Sequence, residues 1–150
     1  MRDPLVVGIL KESKGFEHRA PLVPSDVELL VDRGITVEVE SSSDRVFSDQ
    51  EYKKNGAIIV DKVQKATFLV GIKEPRVHDL HSDKIYMVFS HTAKGQVHNM
   101  PLLRACLKKN ITLIDYEQVV DLYGVRLVYF GHPSFLGLHI LVGMSHCFNY

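Results

Sequence analysis

Four apolar runs in this 150-residue chain end abruptly on titratable side chains. Leu5–Leu10 gives way to Lys11, Lys14 and Arg19, and Phe68–Ile72 runs into Lys73-Glu74-Pro75. Ile85–Ser90 stops at His91 with Lys94 close behind, and Ile111–Ile114 leads into Asp115 and Glu117. Arg grips a carboxylate through two parallel hydrogen bonds, while Lys and His hold charge or pass protons. If these runs are parallel strands of one sheet, their carboxyl ends open on one crevice, where such sheets bind ligands. The set then predicts a mostly cationic receptor for a small, multiply carboxylated molecule. Lys73 and His91 stand out because each directly follows an apolar strand, where the backbone is rigid and proton transfer is best served. The competing explanation is that charged residues in strand-to-helix loops are simply solvated.

The elements that must position these residues are legible as alternation. Pro24-Ser25-Asp26 opens a helix with Pro at its start and an acid in its first turn; Val27, Leu30 and Val31 recur at helical spacing and Gly34 closes it. Ile35–Val39 reads as a strand. Ser48-Asp49-Gln50-Glu51 fits a capping box for a short helix to about Asn55. Ala57–Val60 adds another strand. A helix from about Asn99 to Lys109 is expected to turn Leu102, Leu103, Cys106 and Leu107 inward, and Val125–Phe130 is expected as a last strand. Val-, Ile- and Leu-rich strands alternating with helices predict an α/β fold: a mostly parallel sheet with helices on both faces.

The composition narrows the function classes. Lys and Arg number 18, matched by 18 Asp and Glu, so net charge offers no attraction to nucleic acid or an anionic membrane. Cys106 and Cys147 form no CxxC pattern, which fits a reducing compartment. Neither Leu5–Leu10 nor Phe135–Met144 is long enough to span a bilayer, and the N-terminus lacks a signal-peptide core. The expectation is a cytoplasmic protein, with the mitochondrial matrix as the alternative. His132, His139, His146 and Cys147 match no standard metal-ligand spacing, and His78 and His81 read as solvated loop residues. No GxSxG and no P-loop is present, and no GxGxxG follows any strand, so the sequence predicts no nucleotide site of its own.

The stretches GILKESKGFEHRAPLVP (8–24), VGIKEP (70–75), FSHTAKGQVHNMPLL (89–103) and LIDYEQVVDLYGVRLVYFG (113–131) together resemble a known domain. It is the N-terminal domain shared by alanine dehydrogenase, nicotinamide nucleotide transhydrogenase and the saccharopine dehydrogenases. FSHTAKGQ followed by NMPLL, and LIDYE followed by GVRLVYFG, are most similar to the lysine–2-oxoglutarate reductase type, the N-terminal part of aminoadipic semialdehyde synthase.

The resemblance implies the substrate side of an oxidoreductase that joins lysine and 2-oxoglutarate through an imine, reduced by NAD or NADP chemistry to saccharopine. It implies Lys73 and His91 as the acid–base pair, and Arg19 with Lys14 as binders of a substrate carboxylate. Glu74 and Glu117 match acidic neighbours that tune the pair, and Lys94 and Arg126 match residues lining the same cleft. Residues 1–131 would form the domain and 132–150 a divergent tail, with the nucleotide-binding domain supplied elsewhere as a partner. Two further readings follow: a stand-alone or remnant module binding a dicarboxylate or amino acid, and an alanine dehydrogenase-type domain.

Overall fold

A computed structural model describes residues 5–128. The chain builds β1 (Val6–Ile9), α1 (Pro24–Asp32), β2 (Thr36–Glu40), α2 (Asp49–Lys54), β3 (Ile58–Val60), β4 (Phe68–Lys73), β5 (Ile85–Phe89), α3 (Met100–Lys108) and β6 (Thr112–Asp115). The six strands form one sheet in the order β3-β2-β1-β4-β5-β6, and every pair is parallel. The strand order reverses between β1 and β4, which makes their carboxyl ends the natural ligand crevice.

The helices form where local chemistry puts them. Pro24 opens α1, the Asp26 carboxylate accepts the Val23 N–H at 3.3 Å, and Gly34 follows the helix with a φ of 79°. Ser48 and Glu51 exchange hydrogen bonds across the first turn of α2, the capping box expected from the sequence. Both faces of the sheet are covered. Val27 and Leu30 of α1 and Tyr52 of α2 pack with Val7, Ile9, Val37, Val39 and Val70 on one side. Leu102 and Cys106 of α3 pack with Leu69 and Tyr86 on the other, joined there by Val63 and Ala66 from the β3–β4 crossing.

That crossing explains two features of the strands. Gly8, in the middle of β1, lies so close beneath it that a Cβ would sit 2.6 Å from Val63 Cγ1 and 2.9 Å from Ala66 Cβ. Glu38 and Glu40 of β2 are buried, and their carboxylates accept backbone N–H groups of the crossing: Lys65 and Ala66 for Glu38, Val63 for Glu40. A buried carboxylate is tolerable when backbone amides satisfy it, and here it also pins the connection.

Two expectations need correction. Leu107 is 75% exposed rather than turned inward, because α3 faces the sheet along Leu102 and Cys106, one turn apart, and Leu107 lies off that line. Residues 125–128 do not extend the sheet. Asp121 folds residues 119–127 back on themselves, accepting N–H bonds from Tyr123 and Val125, and leaves a single antiparallel bridge between Val120 and Arg126. The last two residues of that expected strand, Tyr129 and Phe130, lie outside the described residues.

Candidate active site

At the end of β1 the chain carries its charge inward. Glu12 turns back onto β4: its Oε1 accepts the Ile72 N–H at 2.6 Å and its Oε2 the Lys73 N–H at 3.0 Å. Burial, and secondarily the nearby Glu17 charge, lifts the Glu12 carboxyl from its ordinary 4.5 to about 7, although the two amides and Arg19 favour the ionised form. Five residues on, buried Glu17 takes the Arg19 guanidinium in a fork, Nε to Oε1 at 2.7 Å and Nη2 to Oε2 at 2.6 Å. Burial works to raise the Glu17 carboxyl, but the Arg19 hydrogen bonds outweigh it and hold it below its usual range. Lys14 reaches across to Glu74 after β4, 3.1 Å away. Glu12, Lys14, Glu17 and Arg19 line a cleft of about 300 Å³ that also touches Arg76 and Lys62.

The ends of β5 and β6 assemble a second group beside the first. His91 follows β5 in the left-handed region, φ 52° and ψ 16°, a conformation that costs a non-glycine residue about 1 kcal/mol or more. Buried Asp115 holds it there: one oxygen accepts the His91 N–H at 2.8 Å and the Ser90 hydroxyl at 2.6 Å, and the other accepts the Glu117 N–H at 2.9 Å. The His91 ring stacks on Phe89, 6.1 Å between centroids. Its Nδ1 lies 3.0 Å from Glu117 Oε2 and 3.1 Å from Lys94 Nζ. With a hydrogen on Nδ1 the ring donates to Glu117 and leaves Nε2 free to accept a proton as a base; the imidazolium so formed keeps the Glu117 bond and gives the proton back from Nε2 as the acid. Arg126, brought back by the 119–127 turn, reaches Glu117 Oε1 at 3.3 Å. Hydrogen bonds from Lys94 and then His91 hold the Glu117 carboxyl at about 2, well below its ordinary value.

Lys73 lies between the two groups in the sheet, since it ends β4 and is in register with Phe89 of β5. The structure thus gathers Lys14, Arg19, Lys73, Glu74, His91, Lys94, Glu117 and Arg126 along one edge, contributed by four adjacent strands. It distributes them differently from the expectation of an open cationic crevice. Glu74 engages Lys14, Arg19 engages Glu17, and Lys94, Arg126 and the His91 ring share Glu117, so positive charge is locally offset. Glu12, Glu17 and the backbone role of Asp115 were missed in the sequence. Glu12 and Glu17 sit among basic residues whose charge drew the reading, and nothing in their types shows that their carboxylates face amides or Arg19.

A dinucleotide does not fit this edge. At the reversal of strand order such cofactors use a glycine loop leading straight into a helix N-terminus. Here that position carries Lys11-Glu12-Ser13-Lys14, with the Glu12 carboxylate on the β4 amides, and the first helix starts only at Pro24. Among the described residues no three His, Cys, Asp or Glu side chains are grouped to hold a metal ion, and no helix is long and apolar enough to cross a membrane. His132, His139, His146 and Cys147 lie outside the described residues.

A parallel sheet of this order with a polar carboxyl edge defines a Rossmann-like α/β domain. The chain belongs to the family described as alanine dehydrogenase/PNT, N-terminal domain, whose model matches residues 8–134. It is 39% identical over 137 residues to the mitochondrial alpha-aminoadipic semialdehyde synthase of Rattus norvegicus, covering 90% of this chain and 15% of that protein. It is 34% identical over 140 residues to the NAD(+), L-lysine-forming saccharopine dehydrogenase of Neurospora crassa, covering 89% of this chain and 38% of that protein. Among solved structures an L-alanine dehydrogenase superposes with a TM-score of 0.70 at 26% identity, over 82% of this chain and 35% of that one. The chain therefore spans well under half the length of these relatives.

Proposed function

We propose that this chain is the substrate-side domain of a lysine-forming saccharopine dehydrogenase, with residues 1–131 as the domain and 132–150 as a divergent tail. The observation that carries the reading is that Lys73 ends β4 in register with Phe89, two residues before His91, which is itself bonded to Glu117 and Lys94. Condensation of lysine with 2-oxoglutarate needs one proton taken from the attacking amine and another delivered to the departing hydroxyl. A Lys and a His on neighbouring strands suit that pair of transfers, whichever of them holds the proton at each step. His91 is the better-equipped shuttle, because Glu117 accepts from Nδ1 whether or not Nε2 carries a proton. Arg19, oriented by Glu17, and Lys14 stand on the cleft wall where a substrate carboxylate would dock. Glu74 and Glu117 set the charge around the pair, and Lys94 and Arg126 flank it through their ion pairs with Glu117. Reduction of the imine requires a hydride from NADH or NADPH, which calls for a nucleotide-binding domain as partner.

The test is reconstitution. Joined to the nucleotide domain of a saccharopine dehydrogenase, the chain should form saccharopine from lysine and 2-oxoglutarate with consumption of NADH or NADPH. Lys73→Met and His91→Gln should each lower kcat by about 10²-fold or more. Full activity in both variants would overturn the assigned roles, and preference for pyruvate with ammonia would identify an alanine dehydrogenase-type domain instead.

A further inference from the structure

The hydrogen bonds of β4 do not close within the sheet. Its pairing with β1 covers Phe68, Leu69 and Val70 and ends there, with Leu10 N–H donating to the Val70 carbonyl as the last bond. Beyond it β4 continues to Lys73, and its register against β5 shifts between Val70 and Lys73, with Gly71 and Ile72 facing Val88 alone. A bulge of this kind leaves backbone donors without ladder partners, and donors that are not solvated must be satisfied some other way. The Ile72 and Lys73 amides both end on the Glu12 carboxylate, at 2.6 Å and 3.0 Å.

We propose that Glu12 is a positioning residue of the candidate site, whose two carboxylate oxygens replace the missing β1 backbone and thereby fix where Lys73 leaves the sheet. The proposal rests on the reading of Lys73 as a proton-transfer group. Two further observations support it. Glu12 lines the same cleft as Arg19 and Lys14, so the clamp is in reach of whatever occupies that space. Its proton equilibrium is also poised near neutrality, at about 7, under the combined influence of its own burial, Glu17, Arg19 and the two amides, with Tyr116 facing it from the turn after β6. A change in its charge is therefore transmitted directly to the backbone of Lys73.

The experiment is a pH titration of the backbone amides of the full chain by 1H–15N NMR, from about pH 5 to about pH 9. In the wild type, the Ile72 and Lys73 amide protons should move downfield together through one inflection near pH 7 as the carboxylate forms. In Glu12→Gln that inflection should vanish, while Leu69 and Val70 keep their positions. Glu12→Asp, one methylene shorter, should retain a titration at one of the two amides at most. Amides that stay flat in the wild type, or that titrate identically in Glu12→Gln, would overturn the proposal; should Glu12→Gln fail to fold, the wild-type titration alone decides. No ligand enters the measurement, so failure of the chain to form saccharopine after reconstitution would sink the functional reading and leave this clamp standing.

Discussion

Glu12 departs far from its exposed counterpart in a pH range where stability should report it. Its carboxyl stands at about 7 in the folded chain against an ordinary 4.5. The folded state therefore keeps a proton that the unfolded state has already released, and stability is lost as pH rises through that window. Relative to Glu12→Gln, the wild type should lose up to about 3 kcal/mol between about pH 4.5 and pH 7, then change no further. Urea unfolding at several pH values measures this, and a constant offset between the two proteins would contradict it. Glu117 follows the opposite sign. Its carboxyl lies at about 2, so the stability its partners supply is present above about 4.5 and fades as pH falls toward 2. That contribution is small in any case, because Lys94 and Arg126 are each 40% or more exposed and solvent screens them.

At the scale of elements, much of the architecture is written locally. Pro24 and Gly34 bracket α1, Ser48 and Glu51 cap α2, and the apolar runs become the core strands. What escapes local reading depends on contacts distant in sequence. Glu38 and Glu40 alternate along β2 like solvent-facing residues, yet the crossing before β4 buries them and uses their oxygens. Leu107 fits a helical apolar stripe, but only the sheet decides which side of that stripe is covered. Val125–Val128 is β-branched and apolar enough for a strand, and the Asp121 turn diverts it to deliver Arg126. The site divides the same way. Lys73 and His91 are visible as strand-end residues, whereas the Glu12 and Asp115 carboxylates that hold their backbones are not. Gly8 gives an element-level test. Gly8→Ala drives a methyl into Val63, Leu69 and Ala66 and should cost about 1–3 kcal/mol of unfolding free energy. An unchanged denaturant midpoint would mean that β1 and the crossing are packed less closely than described.

For the whole molecule, strand order is what turns scattered residues into a site. Residues as far apart in sequence as Arg19 and Arg126 reach one edge because β1, β4, β5 and β6 are neighbours and run the same way. The same order fixes the crevice at β1 and β4, and Glu12 fills the position where a dinucleotide fold keeps its glycine loop. On the proposed reading the domain holds and protonates a substrate, and the redox chemistry falls to a partner domain. The decisive measurement is calorimetric titration of the chain with saccharopine, wild type against Arg19→Met. Binding should be measurable in the wild type and weaken by about 10-fold to 100-fold in the variant, the cost of a lost charge-assisted carboxylate contact. Absence of heat from the folded wild type, or equal affinity in the two proteins, would contradict a substrate-holding role.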